Sequence, residues 1–484
     1  MIGIQLNEEN FEYDIYSLVK AFYPEEEVAR VSDGWEGAAL RVMYAASSVA
    51  IGFSGGAGED DRAQEALSAE ISTQGLDRKE IKSVLKRAVY RLLSKRTGKE
   101  LPWGTLTGIR PTKIPFAMLS EGRTKEEITA YMRDTYLAGE EKTRLCIEIA
   151  DRERKILKKV DYQNGYSLYV GIPFCPTRCL YCSFTSYPLS VWEKHVDGYV
   201  DALCRELCCT AEQMSGKRVN TLYIGGGTPT TLTPVQMDRL LSTLEAAFDF
   251  TCLQEFTVEA GRPDSITKEK LRVLKEHGVS RISVNPQTMN QNTLKLIGRD
   301  HTVLQVKEAF ALARKCGFDN INMDLIGGLP GEGRAEMEHT MREIAALCPD
   351  SVTIHALALK RASRLNELWE EYRDRTGSLN EETACMTERY AREMGLLPYY
   401  LYRQKNMAGN LENVGYALPG KEGLYNILIM EEKQSIIACG AGSISKRVYP
   451  DGRIERCENV KDVALYIEKI DEMIERKRKL LTDL

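Results

Sequence analysis

Between Tyr166 and Leu359, short β-branched apolar runs alternate with longer amphipathic segments. The runs read SLYVGIP, NTLYIGGG, EFTVEAG, RISVNPQ, NINMDLIGG and SVTIHAL. The segments between them, such as TPVQMDRLLSTLEAAF and VLQVKEAFALARKCG, carry apolar residues at helical spacing. Six strand–helix repeats of this kind predict parallel strands that are joined by right-handed crossovers.

Polar and glycine residues follow nearly every one of these strands, at Cys175–Cys182, Gly225–Thr228, Glu259, Gln287 and Asp324–Gly328. In a parallel α/β barrel, the carboxyl ends of the strands converge on one mouth, where active sites lie. An open doubly wound sheet instead concentrates its chemistry at one switch point. The pattern therefore favours a partial (β/α)6 barrel, similar to a TIM barrel, over a doubly wound sheet.

The segments on either side of this core have different patterns. Residues 1–163 mix strand and helix signals, which predicts an N-terminal α+β accessory domain. We place the barrel core at 164–360 and a small C-terminal α/β domain at 361–484. Within the C-terminal segment, ILIMEEKQSIIACGAGSI is interpreted as a β-hairpin. The fold class is α/β.

Composition narrows the cellular setting. The chain has 484 residues, of which 43% are hydrophobic and 28% charged, with a formal net charge of -5. These values are typical of a soluble globular protein, and they do not predict the basic face that nucleic-acid binding needs. The N-terminal text MIGIQLNEENFEYD lacks the apolar core of a signal peptide, and no apolar run is long enough for a membrane span. We therefore expect a cytoplasmic protein.

Three of the thirteen cysteines, Cys175, Cys179 and Cys182, have the spacing C-x3-C-x2-C. A structural zinc ion needs four ligands, usually in two separated pairs. Three thiolates on a [4Fe–4S] cluster would leave one iron open to a small chelating molecule. A cluster is favoured, and a zinc site and three buried thiols are the alternatives. We expect the other cysteines to be small buried core residues.

The cysteine spacing, placed directly after the first strand, resembles that of the radical S-adenosylmethionine (SAM) superfamily. In that superfamily, the amine and carboxylate of SAM chelate the open iron, and one electron from the cluster cleaves the sulfonium to release a 5′-deoxyadenosyl radical. The resemblance implies that the three cysteines hold the cluster, and it counts them with Tyr169 as catalytic. It implies SAM contacts at Tyr169, Gly226, Gly227, Thr228, Glu259, Gln287, Arg299, Asp324 and Ala356.

The resemblance also implies a role for each of these positions. The GGGTPT stretch would contact the methionyl amino group, and Glu259 would face the bound SAM. Gln287 and Arg299 would form a SAM-contacting pair, and Asp324 would hold the ribose hydroxyls. Tyr169 would lie beside the cluster, and Ala356 would make a backbone contact from the sixth strand.

The stretches IPFCPTRCLYCSF, GGGTP, GRDH and DLIGGLPG together resemble the oxygen-independent coproporphyrinogen III oxidase group. That group includes coproporphyrinogen dehydrogenases, haem chaperones and anaerobic haem-modifying enzymes. The stretch LPWGTLTGIRPTK resembles the coproporphyrinogen dehydrogenase branch of Gram-positive anaerobes. Two positions depart from these patterns. Phe184 stands where the best-characterised oxidases carry a further cysteine, and Tyr425-Asn426 stands near the place of a His-Asn…Tyr-Trp segment in the chaperones.

The resemblance implies an oxidoreductase that converts propionates of coproporphyrinogen III into vinyl groups, which yields protoporphyrinogen IX. Its partners would be a tetrapyrrole, either coproporphyrinogen III or haem, and an electron donor such as flavodoxin or ferredoxin. Radical methylation or ring opening of haem, and haem binding as a chaperone, are the alternative functions. The anionic propionates need cations, for which the candidates are Arg361, Arg364, Arg403, Lys405 and Arg110. His301 and His355 could face the substrate or belong to the core.

Overall fold

The computed structural model describes residues 1–32, 34–55, 67–373, 380–404 and 411–482. The chain divides into two compact units, Met1–Asp151 with Arg403–Leu411, and Arg152–Tyr402 with Glu412–Leu484. The domain limits at residues 163 and 360 stay predictions. Within the described residues, no helix is both long and apolar enough to cross a membrane.

The first unit contains a five-stranded sheet with the order β2-β1-β3-β4-β5. Strand β4 alternates buried and more exposed residues, and its buried face packs in one hydrophobic core with residues of helices α1 and α2. Helix α2 begins with a capping box between Asp77 and Glu80. The elements are β1 (Ile2–Leu6), α1 (Glu12–Phe22), β2 (Val28–Arg30), β3 (Ala39–Tyr44), β4 (Ser48–Ser54), β5 (Ser68–Ser72), α2 (Arg78–Thr97), α3 (Lys113–Ser120), α4 (Lys125–Tyr136) and α5 (Glu140–Leu157), which continues into the second unit.

The second unit contains the six predicted strands, and each pairs in parallel with the next in chain order. The α/β prediction and the six strand positions are therefore confirmed. The elements are β6 (Gly165–Ile172), β7 (Phe174–Cys175), β8 (Tyr187–Pro188), α6 (Leu189–Trp192), α7 (Val196–Gln213), β9 (Arg218–Gly226), α8 (Pro234–Ala247), β10 (Glu255–Gly261), α9 (Lys268–Glu276), β11 (Arg281–Val284), α10 (Gln291–Leu296), α11 (Val303–Lys315), β12 (Ile321–Gly327), α12 (Arg334–Leu347) and β13 (Ser351–Ala356).

The C-terminal segment extends this sheet at both ends. Beyond β13 lie two antiparallel strands, β15 and β14, and beyond β6 lie the parallel strand β16 and the antiparallel strands β17 and β18. Together with the six strands of the core, these five strands form an eleven-stranded sheet among the described residues of the second unit. The elements are α13 (Arg364–Glu367), α14 (Trp369–Tyr372), α15 (Glu381–Glu393), β14 (Leu397–Tyr402), β15 (Asn413–Ala417), α16 (Leu424–Glu431), β16 (Ser435–Cys439), β17 (Ile444–Val448), β18 (Ile454–Glu458), α17 (Val463–Glu468) and α18 (Ile470–Leu481).

The predicted hairpin over ILIMEEKQSIIACGAGSI is wrong in its first half. The residues ILIME belong to helix α16, and the hairpin is formed by β16 and β17. A short continuous apolar run has neither a helical nor a strand period, so that tertiary packing decides its structure. The expectation that the remaining cysteines are buried is likewise wrong for Cys208, Cys348 and Cys385, which are exposed.

A buried carboxylate holds β16 beside the first strand of the core. Glu206 on α7 is fully buried and accepts hydrogen bonds from Lys477 Nζ at 2.6 Å, Asn459 Nδ2 at 2.7 Å and the Gly440 backbone N–H at 2.8 Å. Gly440 follows β16 and has φ 105°, and a Cβ there would lie 2.5 Å from the Gly171 carbonyl oxygen. The network therefore supports the strand that carries Tyr169.

Removing the cation of this network should destabilise the protein strongly. We expect Lys477→Met to lower the free energy of unfolding by ~3–5 kcal/mol, because Glu206 would keep a buried charge without its counter-ion. Urea denaturation measures this change. The control is Arg205→Gln, next to Glu206 on helix α7, which breaks an exposed pair with Asp471 and should change the free energy of unfolding little. Equal effects of the two substitutions would contradict the assignment.

Candidate active site

The three clustered cysteines lie on a loop that leaves the end of β6. Cys175 belongs to the short strand β7, which pairs with β8, and Cys179 is 8% exposed. All three are free thiols. Burial raises the pKa of Cys175 to about 11 and also raises the pKa of Cys182. The Cys175 and Cys182 thiols are therefore protonated at neutral pH unless a metal binds them, since a coordinated thiol loses its proton.

The glycine-rich loop after β9 packs directly on the cysteine loop. The Gly227 backbone N–H donates to the Ile172 carbonyl at 2.7 Å, and Thr228 Oγ1 lies 3.6 Å from Cys175 Sγ. A Cβ on Gly227 would lie 2.5 Å from the Phe174 carbonyl oxygen and 3.0 Å from Cys175 Sγ. Only glycine permits this approach.

The donor set suits an iron–sulfur cluster. Thiolates are the ligands that such clusters take, and three free ones are available on a single loop. The described residues contain no group of three or more Cys, His, Asp and Glu side chains around a single-ion site. A four-iron cluster does not require such a group, because each thiolate would bind a different iron.

Cys179 lies between two buried guanidinium groups. Arg299 Nη1 and Arg262 Nη1 each lie 3.9 Å from Cys179 Sγ. Arg299 also donates to the Tyr181 hydroxyl at 3.1 Å and to the Asn285 carbonyl at 2.6 Å. Among the described residues, its buried Nε has no hydrogen-bond acceptor. Arg299 therefore reaches the cysteine loop and keeps one N–H for a ligand.

Glu259 lies in a cluster of tyrosines at the end of β10. The Tyr223 hydroxyl donates to Glu259 Oε1 at 2.5 Å. The rings of Tyr169, Tyr223 and Tyr425 stack on one another. The centroid of the Tyr169 ring lies 6.1 Å from that of Tyr223 and 6.3 Å from that of Tyr425, and the Tyr223 and Tyr425 centroids are 4.5 Å apart. Loss of water around the carboxyl group, with repulsion from Asp324, raises the pKa of Glu259 to about 7. Glu259 can therefore gain or lose a proton near neutral pH.

Gln287 and Asp324 are brought together by their backbones. The Gln287 N–H donates to the Asp324 carbonyl at 3.0 Å, and the backbone of Gln287 has φ 69°. Its side-chain oxygen is buried and lacks a donor among the described residues. Asp324 Oδ1 accepts from Asn322 at 2.7 Å and lies 3.9 Å from His355 Nε2. Although burial opposes ionisation, these neighbours hold the pKa of Asp324 below its ordinary value.

The remaining predicted positions lie at the ends of the later strands. Ala356 ends β13, and its N–H donates to Asn413 Oδ1 at 2.9 Å. His355 Nδ1 lies 3.3 Å from the Tyr402 hydroxyl. His301 is fully buried, and neither ring nitrogen has a hydrogen-bond partner among the described residues. Burial, together with the nearby Arg299 charge, lowers the pKa of His301 to about 3, so this ring is neutral.

The arginine and lysine residues that were predicted to bind the substrate carboxylates do not all lie in the same unit of the chain. Arg361 and Arg364 are exposed on a segment bound to the cysteine loop, through Leu365 N–H to the Leu180 carbonyl at 2.8 Å. Arg403 belongs to the first unit, where it is buried, donates to the Leu106 carbonyl and lies over the Trp103 ring. Arg110 also belongs to the first unit and is partly buried, and Lys405 lies outside the described residues.

Sequence reasoning missed Arg262, Tyr223 and Tyr425. Arg262 and Tyr223 had a usable signal, because Arg262 directly follows β10 and Tyr223 lies on β9 two residues before the glycine-rich stretch. Tyr425 had none, because it reaches the site from helix α16, far along the chain.

Comparison with known proteins agrees with this geometry. Residues 169–344 match the model of the radical SAM superfamily. Over 415 residues the chain is 42% identical to the oxygen-independent coproporphyrinogen-III oxidase-like protein HemZ of Bacillus subtilis, which covers 84% of this chain and 82% of that protein. The chain belongs to the radical SAM coproporphyrinogen oxidase-like family. The expected membership is confirmed, and this superfamily implies a [4Fe–4S] cluster and SAM.

Two further relatives are named for different functions. Over 307 residues the chain is 32% identical to the heme chaperone HemW of Bacillus subtilis, which covers 63% of this chain and 76% of that protein. Among solved structures, coproporphyrinogen III oxidase (HemN) from Escherichia coli matches with a TM-score of 0.52 at 23% identity, covering 66% of this chain and 73% of that one. This structural match shows a shared fold.

The raised pKa of Glu259 predicts a dependence of stability on pH. Between about 4.5 and about 7, the native state keeps a proton that the unfolded chain has lost, so that raising the pH favours unfolding. The free energy of unfolding of the wild type should therefore fall relative to Glu259→Gln across this range and level off above it. Urea denaturation at several pH values, on preparations with equal iron content, measures the difference. A constant difference would contradict the raised pKa.

Proposed function

We propose that this protein catalyses the oxygen-independent oxidative decarboxylation of coproporphyrinogen III propionates to vinyl groups, forming protoporphyrinogen IX. One observation carries the proposal. In a chain 42% identical to a coproporphyrinogen oxidase-like protein over most of its length, a loop of three thiols packs against a glycine-rich loop at the ends of adjacent parallel strands. The carboxyl ends of parallel strands are where such folds place their chemistry.

Cys175, Cys179 and Cys182 would hold the cluster. When bound, the cluster would supply the electron that cleaves SAM to a 5′-deoxyadenosyl radical, after receiving it from a donor such as flavodoxin or ferredoxin. The protein contributes binding, orientation and exclusion of competing reactions. Burial of Cys179 and the half-burial of the other two thiols limit the access of water to the loop.

Four polar side chains would bind SAM. Asp324, whose pKa is held low, is an ionised acceptor suited to ribose hydroxyl groups. The Nε–H group of Arg299 and the side-chain oxygen of Gln287 are buried, and these two polar groups lack hydrogen-bond partners among the described residues. A buried polar group without a partner costs free energy, which a bound polar ligand would recover. Glu259 adds a carboxyl group that can hold or release a proton near neutral pH.

Arg361 and Arg364 would bind the propionate carboxylates. Arg178 Nη2 donates to the Ala362 carbonyl at 2.6 Å, so a residue of the cysteine loop fixes the segment that carries both arginines. Guanidinium groups bind carboxylates through paired, charge-assisted hydrogen bonds. Their exposure leaves them accessible to an anionic tetrapyrrole.

Haem binding as a chaperone is the second candidate function. The 32% identity to the heme chaperone HemW, over 76% of that protein, favours it. A chaperone would bind haem stoichiometrically without forming 5′-deoxyadenosine in response to a substrate. Anaerobic incubation of reconstituted protein with SAM, a reductant and either coproporphyrinogen III or haem separates the candidates. Carbon dioxide release from coproporphyrinogen supports the oxidase, whereas haem retained unchanged supports the chaperone.

Replacing any of the three cluster cysteines should remove the cofactor. We expect Cys175→Ala, Cys179→Ala and Cys182→Ala to lose most bound iron and sulfide and to form no 5′-deoxyadenosine, because the cluster loses one of only three protein ligands. Iron and sulfide analysis and chromatography of nucleosides measure both effects. Cys208→Ala is the control, since Cys208 is exposed on helix α7. Retained deoxyadenosine formation in a cluster variant would overturn the mechanism.

Removing the exposed arginines should weaken substrate binding without affecting SAM cleavage. We expect Arg361→Ala and Arg364→Ala to raise KM for coproporphyrinogen III about tenfold each, the size of one lost charge-assisted contact. Formation of 5′-deoxyadenosine without substrate should stay at the wild-type level. Arg389→Ala, on helix α15, removes another exposed arginine and serves as control. An unchanged KM in both variants would remove these residues from the substrate site.

A further inference from the structure

We propose that Arg262 and Asp264 together set the reduction potential of the cluster from outside its ligands. The proposal rests on the cluster assigned above to the three cysteines. Arg262 is the first residue after β10, and Asp264 lies in the helical turn Pro263–Ser265 that follows it. They stand in the stretch GRPD, to which no role in cluster or SAM binding was assigned above.

Arg262 is held rigidly against the cysteine loop. Its side chain is nearly fully buried, with 4% of its surface exposed. Nε and Nη2 donate to the two oxygens of Asp264 at 2.9 and 2.7 Å, which is a bidentate pair. The outer nitrogen, Nη1, donates to Thr177 Oγ1 at 2.9 Å and lies 3.9 Å from Cys179 Sγ. The pair therefore points its positive end at the cysteine loop.

This arrangement favours the reduced cluster. A cluster gains one negative charge when it is reduced, and a fixed positive charge nearby stabilises that state in proportion to the local field. Hydrogen bonds to the sulfurs and the net charge around a cluster are known determinants of its potential. Arg299 also approaches Cys179, but its other N–H groups serve Tyr181, Asn285 and the proposed SAM site. The described hydrogen bonds of the Arg262 side chain go only to Asp264, Thr177 and Cys179.

Asp264 moderates the effect of Arg262. Its carboxylate is more exposed than the guanidinium, at 20% against 4%, and its two oxygens bind Nε and Nη2 rather than the Nη1 that approaches Cys179. The negative charge offsets part of the positive field at the cysteine loop. Removing the arginine charge and removing the aspartate charge should therefore shift the potential in opposite directions. A purely structural role, in which the pair only anchors Thr177, predicts no such opposition.

The test is a redox titration of anaerobically reconstituted full-length protein, followed by electron paramagnetic resonance of the reduced cluster. We expect Arg262→Gln to lower the midpoint potential by about 59 mV, which corresponds to a tenfold fall in the ratio of reduced to oxidised cluster for a one-electron couple. Arg262→Lys, which keeps the charge, should recover most of this shift. Asp264→Asn should raise the potential above that of the wild type.

A second arginine–aspartate pair, which is partly buried, provides the control. Arg314 Nη1 bonds Asp350 Oδ2 at 2.6 Å at the end of helix α11, next to the amino-terminal end of β13 and away from the cysteine loop. We expect Arg314→Gln to leave the potential unchanged.

Shifts of the same sign in Arg262→Gln and Asp264→Asn, or no shift in either, would overturn the proposal. If Arg262→Gln fails to bind iron, the test depends on the midpoint potential of Asp264→Asn. A potential equal to that of the wild type would then overturn the proposal. A wild-type protein without iron and sulfide would instead overturn the proposed function together with this inference.

Discussion

The candidate site depends on how closely two backbone segments approach each other. Strands β6 and β9 pair in a register that sets Gly171 and Ile172 opposite Gly225 and Gly226. The chain then turns at Gly226, with φ 114°, and Gly227 packs against the cysteine loop with no room for a Cβ. Any larger residue would push the loop that carries Cys175 away from the sheet. The geometry of the sulfur ligands is thus fixed by hydrogen bonding and by the absence of side chains.

Charge is distributed unevenly over the mouth of the core. On the side of Cys179, two buried guanidinium groups face the sulfur, and a neutral His301 packs near them. On the other side, Glu259 and Asp324 repel each other. The pKa of Glu259 is raised, and the pKa of Asp324 is held below its ordinary value. This division suits a site that must accept an electron at one end and hold a cationic nucleotide at the other. The field is built into the fold, because hydrogen bonds to neighbouring side chains and to the Asn285 carbonyl fix these charged groups.

The sequence predicted the elements whose signal is local and missed those that depend on distant packing. Six strands could be identified because each apolar run is followed by a polar or glycine residue and then by a helical period. The parallel pairing of β16 with β6 joins segments more than 260 residues apart, and no local pattern encodes it. For the same reason, Tyr425 was considered only as a departure from a chaperone motif, although its ring stacks on Tyr169 and Tyr223. Arg262 was overlooked because a Gly-Arg-Pro-Asp stretch is also typical of a turn.

The relatives include both an oxidase-like protein and a heme chaperone, and the site residues of this chain fall into two groups along the sequence. Cysteine loop, glycine-rich loop and polar strand ends lie within residues 169–344, the range that matches the superfamily, and they would serve any radical SAM chemistry. Arg361, Arg364 and Tyr425 lie beyond that range, on segments that pack onto the cysteine loop and onto the tyrosine stack. Residues that distinguish one substrate or function from another are therefore expected in these added segments, as well as at Phe184 beside the cysteine loop. The physical distinction between oxidase and chaperone should accordingly be sought where the C-terminal segment meets the core, because the segment that carries Arg361 contacts the cysteine loop there and Tyr425 joins the tyrosine stack.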